Sequence, residues 1–247
     1  MIANKKLGAV IVAAGSGLRM NMGVNKPYIE IKGKKILEIT LDTLTSIEEI
    51  DKIILVIRKE DQKEIEEIIK KYKLDIKFVY GRQTREESTF QGLLALADSY
   101  DLVLTHDGVR PFASRKLFKK IIKEGLKYKA VISATKAKDT IKVVNNDMTV
   151  SKTPNRDFLY QVQTPQVYDR KVLLDLYKKY QNTAYKITDD SQLFELFSDI
   201  KVKVVEGEYT NIKITTPEDL IFAKAIMEEV WELDWVMMFI SLKREEL

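Results

Sequence analysis

Small residues and cations stand together in Ala13-Ala14-Gly15-Ser16-Gly17-Leu18-Arg19, and Lys26 follows a few positions on. Two glycines and two alanines let backbone N–H groups approach an anion closely, and Arg19 with Lys26 can neutralise it. This is the composition of a phosphate-binding loop. Asp107 stands two positions after Thr105 at the carboxyl end of the apolar run Leu102 to Thr105, where a hard carboxylate can take Mg²⁺ shared with substrate phosphates. Lys213 lies between the apolar stretch Val202 to Val205 and Thr216, so its ammonium can reach the same mouth.

Other glycine-rich loops fit less well. A dinucleotide fingerprint needs a third glycine where Met20 stands, and an acidic residue where Arg58 and Lys59 stand. A Walker loop needs Gly-Lys-Ser/Thr at a spacing absent here. A merely tight strand-to-helix turn would not require Arg19 and Lys26 together.

The elements that must position these residues alternate in type. Leu7 to Ala14 reads as a buried strand, and Ile36, Leu37, Thr40, Leu41 and Leu44 mark one helical face. Strand-like Lys52 to Ile57 precedes a helix with Ile65, Ile68, Ile69 and Tyr72 on one side. Ile76 to Tyr80 precedes another helix from Glu86 to Ala97, and the strand Leu102 to Thr105 precedes one near Leu117 and Ile121. The fold class expected is α/β: a Rossmann-like, mostly parallel sheet with helices on both faces and ligands at the carboxyl ends of its strands. From Lys136 to Gln163, β-type pieces at Thr140 to Val144 and Leu159 to Val162 flank a polar middle at Asn145, Asn146 and Asp147, which suggests a hairpin-like arm. Thr216, Pro217 and Asp219 read as the start of a last helix. Thr188-Asp189-Asp190 reads as another helix start. Without repeats or linkers, residues 1–247 read as one domain, with the arm at about 136–163 and an extra tail at about 231–247.

The loop through Met20, followed by Lys26, resembles the signature of the sugar-nucleotidyltransferase superfamily. Arg85-Glu-Glu-Ser88, His106-Asp-Gly-Val-Arg-Pro111, Asp139-Thr140, Gln163-Thr-Pro-Gln166, Ile187-Thr-Asp-Asp190 and Asn211-Ile-Lys213 follow in order. Together they resemble the 2-C-methyl-D-erythritol 4-phosphate cytidylyltransferase family, from the first strand to about Asp219. The resemblance implies CMP transfer from CTP to a polyol phosphate in non-mevalonate isoprenoid precursor synthesis, with pyrophosphate released. It implies that Ala14, Gly15 and Gly17 hold CTP, that Arg19 and Lys26 meet its phosphates, and that Lys213 stabilises the α-phosphate. Ser88 would help read cytosine, although a serine near a helix start can equally satisfy backbone donors. Arg110, Thr140, Arg156 and Thr164 would hold the acceptor phosphate, with the arm crossing to a second subunit of a homodimer. Locally, Thr140 is only a β-prone residue and Arg156 an exposed turn arginine. His106 reads as structural, because a phosphate monoester is already ionised near neutral pH and needs no base.

The chain departs from the family's pattern at Pro27, at Arg82-Gln83 and at Gly108. Proline removes an N–H and fixes φ, so the loop is expected to close differently. The ribitol 5-phosphate cytidylyltransferases share the loop and the His-Asp-x-x-Arg-Pro pattern and are the nearest alternative, while Ser88 to Leu93 leans to the erythritol branch. A dinucleotide-dependent reductase and a non-catalytic nucleotide-binding module are alternatives from other classes.

Composition narrows the field further. There is no cysteine, so disulfides, thiolate metal sites and a cysteine nucleophile are excluded, and a single histidine excludes a multi-histidine metal cluster. A net charge of +4 suits small anionic ligands and is too diffuse to argue for nucleic acid. Val230 to Leu242 is broken by Glu232 and Asp234 and is too short to span a bilayer. No signal-type apolar segment opens the sequence, and a cytoplasmic location is expected.

Overall fold

The computed structural model describes residues 2, 4–15, 25–72 and 75–229; Gly17, Arg19 and the tail at 231–247 lie outside the described residues. In chain order the elements are β1 (Leu7–Val12), β2 (Glu30–Ile31), β3 (Lys34–Lys35), α1 (Ile36–Thr45), β4 (Lys52–Ile57), α2 (Gln62–Ile69), β5 (Ile76–Tyr80), α3 (Arg85–Ala95) and β6 (Leu102–Asp107). Then follow α4 (Arg115–Gly125), β7 (Ala130–Lys136), β8 (Val143–Val144), β9 (Val150–Lys152), β10 (Tyr160–Asp169), α5 (Arg170–Tyr180), α6 (Gln192–Phe197) and β11 (Lys203–Glu206). A helix over 217–229, α7, closes the described chain.

Among the described residues the main sheet has seven strands in the order β11-β7-β10-β6-β1-β4-β5. β1 pairs parallel with β4 and β6, β4 with β5, and β7 with β11, whereas β10 runs antiparallel between β6 and β7. The central strands β1, β4 and β6 are largely apolar because both their faces are covered, and period-two alternation sorts their side chains between the two layers. Ala9 and Ile11 of β1, Leu55 of β4 and Leu104 of β6 face α1, α2 and α4. Val10, Val56 and Val103 face α3, α5 and α6. A third cluster joins Ile29, Ile31 and Ile36 to Val109, Ile214 and Met227. It seats the segment carrying Lys26 and the segment carrying Lys213 on one apolar base.

Two elements were not legible in advance. β7 is buried through Thr135 although Ser133 and Thr135 interrupt its apolar run, and α5 follows β10 without a connecting loop. The arm also differs from its expected form. Val143–Val144 pairs with Val150–Lys152 around the turn at Asn145 to Met148, while Tyr160 to Gln163 pairs with Lys136 to Ser133 of β7. Leu159 to Val162 therefore leads into the main sheet, and only the tip is a separate hairpin.

Gly92 of α3 shows how closely that helix approaches the sheet. A Cβ there would lie 2.4 Å from Cγ1 of Val10 and 2.7 Å from Cγ2 of Val56, both branched side chains rooted in central strands. Gly92→Ala is therefore expected to destabilise the protein by about 2 kcal/mol in urea unfolding, because overpacking exceeds the ~1 kcal/mol gain in helix propensity. Unchanged or increased stability would show that α3 can shift without cost.

Candidate active site

β6 is buried along its whole length and ends in His106 and Asp107. Its position beside β1 places Asp107 opposite Val12, next to the loop that follows β1. Among the described residues, three cations converge on this carboxylate, which is only 4% exposed. Arg85 Nε donates to Oδ1 at 2.9 Å, Lys213 Nζ lies 2.8 Å from Oδ2, and Arg110 Nε lies 3.5 Å from Oδ2. Burial alone would raise the carboxyl pKa, but the charges of Arg85, Lys213 and Arg110 outweigh it and hold Asp107 well below the usual carboxylate range.

Two cavities meet at this cluster. The larger, about 410 Å³, is lined by the backbone-rich wall at Ala14 and Gly15, by Lys26 and Ser88, and by Asp107 and Lys213. The smaller, about 270 Å³, is lined by Arg110 and Thr164 and shares Arg85, Asp107 and Lys213 with the first. The structure thus brings together Ala14, Gly15, Lys26, Ser88, Asp107, Lys213, Arg110 and Thr164. Thr140 and Arg156 line neither cavity. Both are exposed on the arm, where Arg156 Nη1 donates to the Lys138 carbonyl at 2.7 Å.

The departures from the family pattern are accommodated locally. Pro27 sits in a short 3₁₀ turn, Lys26–Tyr28, whose first hydrogen bond runs from Tyr28 N–H to the Asn25 carbonyl, so no Pro27 N–H is needed. The close approach after β5 is made by Gly81, where a Cβ would lie 2.5 Å from Ala14 Cβ and 2.7 Å from Ser88 Oγ. Arg82 and Gln83 are exposed beyond it and line the larger cavity. Ser88 does not cap α3. Thr84 does, accepting from Glu87 N–H at 3.2 Å with Glu87 returning the bond, while Ser88 Oγ accepts the Arg82 N–H at 3.0 Å and fixes the cavity wall.

Sequence reasoning passed over Arg85. It occupies the first turn of α3, where the helix dipole disfavours a cation, and that misplacement was the available signal that a carboxylate must wait nearby. Asp190, expected as a helix cap, is one such partner. Its Oδ1 accepts from Arg85 Nη1 at 3.0 Å, and Asp189 serves the start of α6 instead, accepting Gln192 N–H at 3.2 Å.

His106 is fully buried and its protons can be assigned. The Arg110 carbonyl beside Nε2 can only accept, which leaves Nδ1 of the neutral ring to accept from the hydroxyl of Thr164 at 3.0 Å, whose Oγ in turn accepts the Asp107 N–H at 3.0 Å. Nε2 then carries the ring proton and donates to the Arg110 carbonyl at 3.1 Å. This chain of bonds fixes the 106–110 turn and needs a neutral imidazole.

A mostly parallel α/β sheet with a glycine loop after its first strand, cations around one carboxylate and two joined cavities defines a nucleotidyltransferase-type site. The family model of 2-C-methyl-D-erythritol 4-phosphate cytidylyltransferase matches residues 7–229. The chain belongs to that family. It is 41% identical over 220 residues to the 2-C-methyl-D-erythritol 4-phosphate cytidylyltransferase of Clostridioides difficile (strain 630), covering 88% of this chain and 92% of the relative. Its fold matches the 4-diphosphocytidyl-2C-methyl-D-erythritol synthase of Anaerococcus prevotii DSM 20548 with a TM-score of 0.84 at 58% identity, covering 91% of this chain and 96% of the other. It also matches the 2-C-methyl-D-erythritol 4-phosphate cytidylyltransferase of Thermus thermophilus at 26% identity with a TM-score of 0.74, covering 90% and 98%.

Burial, opposed only in part by Asp107, lowers the His106 pKa from 6.5 to about 4. The unfolded chain therefore takes up a proton near pH 6.5 that the native protein refuses until pH 4. The histidine's contribution to stability is present above pH 6.5 and is lost as pH falls through that window, by about 2 kcal/mol between pH 7 and pH 5. Urea unfolding without divalent ions should show this slope in the wild type and a shallower one in His106→Asn, whatever the variant's stability at pH 7. Equal slopes would mean that His106 takes up its proton at the same pH in the native fold as in the unfolded chain.

Proposed function

We propose that this chain transfers CMP from CTP to the phosphate of 2-C-methyl-D-erythritol 4-phosphate, forming 4-diphosphocytidyl-2-C-methyl-D-erythritol and pyrophosphate. The observation that carries the reading is the shared wall: Lys213 and Asp107 border both cavities, so a nucleotide in the larger and a polyol phosphate in the smaller would meet beside one ammonium. The wall at Ala14 and Gly15 suits the nucleotide, with Lys26 on its phosphates and Ser88 fixing the strand end that faces the base. Arg19 and Gly17 complete that loop in the proposal. Arg110 and Thr164 line the acceptor side.

The acceptor phosphate oxygen attacks the α-phosphorus in line and pyrophosphate leaves opposite. The nucleophile is already ionised, so the residues work by placing two anions against each other and countering the charge that grows at the α-phosphate. Lys213 is the cation at that junction. Among the described residues no group of three or more His, Cys, Asp or Glu could hold a metal ion. One carboxylate with spare lone pairs, completed by substrate phosphate oxygens, is nevertheless the donor set that suits Mg²⁺, and Asp107 would hold it. When bound, the ion would neutralise phosphate charge.

We also propose a homodimer built through the arm. Met148, Val150 and Phe158 are 79%, 57% and 81% exposed, an apolar surface that a second copy would cover. Thr140 and Arg156 lie on this arm outside their own chain's cavities, as residues serving a neighbouring copy must. Among the described residues no helix is long and apolar enough to cross a membrane. We also propose a cytoplasmic location, where CTP is available to the reaction.

Pyrophosphate release from CTP and Mg²⁺ is expected with methylerythritol 4-phosphate and not with ribitol 5-phosphate, and it should cease with EDTA. Lys213→Ala and Lys26→Ala are each expected to lower kcat about 100-fold or more with the fold retained. Release with the ribitol substrate alone would move the chain to the other branch, and near-normal turnover in either variant would remove that lysine from the mechanism. Val150→Asp with Phe158→Asp should convert dimer to monomer in sedimentation velocity and lower kcat; a wild-type monomer with full activity would defeat the dimer.

A further inference from the structure

Asp190 is used by no step of the proposed reaction, yet it is 0% exposed beneath the site. Its Oδ1 accepts from Arg85 Nη1 at 3.0 Å and from the Tyr177 hydroxyl at 2.6 Å, and its Oδ2 faces Arg85 Nη2 at 3.5 Å. Arg85 Nε points the other way, to Asp107 Oδ1 at 2.9 Å. The guanidinium is therefore held at its two-nitrogen end by Asp190 and presents its single Nε–H to Asp107. A helix start does not require this carboxylate, since α6 takes its first bonds from Asp189 and uses no side-chain cap at Ser191.

The orientation decides what Asp107 can hold. Arginine meets a carboxylate best with two parallel N–H···O bonds, which would occupy both oxygens. Because that end is committed to Asp190, Asp107 keeps Oδ2 for Lys213 at 2.8 Å and Arg110 at 3.5 Å. With a neutral side chain at position 190, nothing charged retains the two-nitrogen end. Arg85 could then turn it onto Asp107 and displace Lys213 from the junction of the cavities.

We infer that Asp190 is a positioning residue for the transfer reaction: by anchoring Arg85 it reserves one Asp107 oxygen for Lys213 and so sets where that ammonium stands. The inference rests on the transfer activity proposed above and adds to it a buried alternation of charge, Asp190 to Arg85 to Asp107 to Lys213, running from beneath α3 to the reacting centre. Tyr177 completes the anchor from α5, its ring stacked on Phe90 of α3 at 5.4 Å.

Asp190→Asn keeps the size of the side chain and an acceptor for Tyr177 while removing the charge. Followed by pyrophosphate release with CTP, Mg²⁺ and methylerythritol 4-phosphate, it should lower kcat about tenfold and move KM for CTP less than threefold, the split expected when a transition-state contact is misplaced. In an Arg85→Gln background the same substitution should cost less than a further twofold, because its route to the site is already gone. A kcat within twofold of wild type in Asp190→Asn overturns the inference, as does an undiminished tenfold loss in the Arg85→Gln background, which would mark a role through Tyr177 and α5 alone. If circular dichroism shows that Asp190→Asn does not fold, Arg85→Lys, which keeps the charge on one nitrogen, takes its place: a tenfold loss of kcat supports the inference and an unchanged kcat overturns it. Wild-type protein that released no pyrophosphate would defeat the transfer activity itself, whereas an active wild type with an unaffected variant defeats only the role of Asp190.

Discussion

Everything at this site depends on one buried carboxylate being balanced. Asp107 ends a central strand with almost no access to water, and ionising it there without partners would cost several kcal/mol. Arg85, Arg110 and Lys213 supply the balance, each from a different part of the chain: the first turn of α3, the turn after β6, and the segment before α7. The same pairing that makes the carboxylate tolerable also assembles the cations that phosphate chemistry needs. Removing one partner of such a group typically costs about 3–5 kcal/mol.

The sheet explains why these segments meet. β6 lies between β1 and β10, so its carboxyl end is flanked by the loop after β1 and by Gln163 and Thr164 of β10. Gln163 Nε2 donates to the Glu208 carbonyl at 2.9 Å, and Asn211 Nδ2 donates to the Thr164 carbonyl at 2.9 Å. Arg110 Nη1 donates to the Asn211 carbonyl at 2.8 Å. Lys213 is thus carried by a segment pinned at its other end to β10 and to the turn after β6. The Gln163-Thr-Pro-Gln166 and Asn211-Ile-Lys213 motifs are two halves of one clamp.

How much of this was legible depended on whether the signal was local. Continuous apolar runs gave β1, β4 and β6 because burial on both faces leaves a plain mark in sequence, while α1 showed in its helical periodicity and the edge strand β5 in a short, partly exposed run. β7 was hidden by Ser133 and Thr135; the polarity of Ser133 is tolerated because its partner comes from elsewhere, its Oγ donating to the Pro165 carbonyl at 2.9 Å. Asp107 could be chosen from its place at a strand end, Lys213 from its place between a strand and a helix start, and both from the family resemblance. Arg85 and Asp190 could not, since their pairing spans 105 positions and each alone has an ordinary local reading. His106 was read as structural from its chemistry, but its tautomer needed Thr164, a residue from another strand.

The two cavities meet at Arg85, Asp107 and Lys213, and this bears on how little the protein must do. An ionised phosphate attacking another phosphate is opposed mainly by charge repulsion and by the entropy of bringing two anions together. In the proposed reaction Lys213 and the cation-balanced Asp107 would address both, because each substrate would be held against the same residues and neither has to wait for a proton transfer. A mobile base would add nothing, and His106, the chain's single histidine, is accordingly spent on holding the turn. The chemistry therefore places its demand on position more than on acidity. That demand is met by buried hydrogen bonds and ion pairs beneath the cavities, where small displacements are costly and the wall keeps its shape.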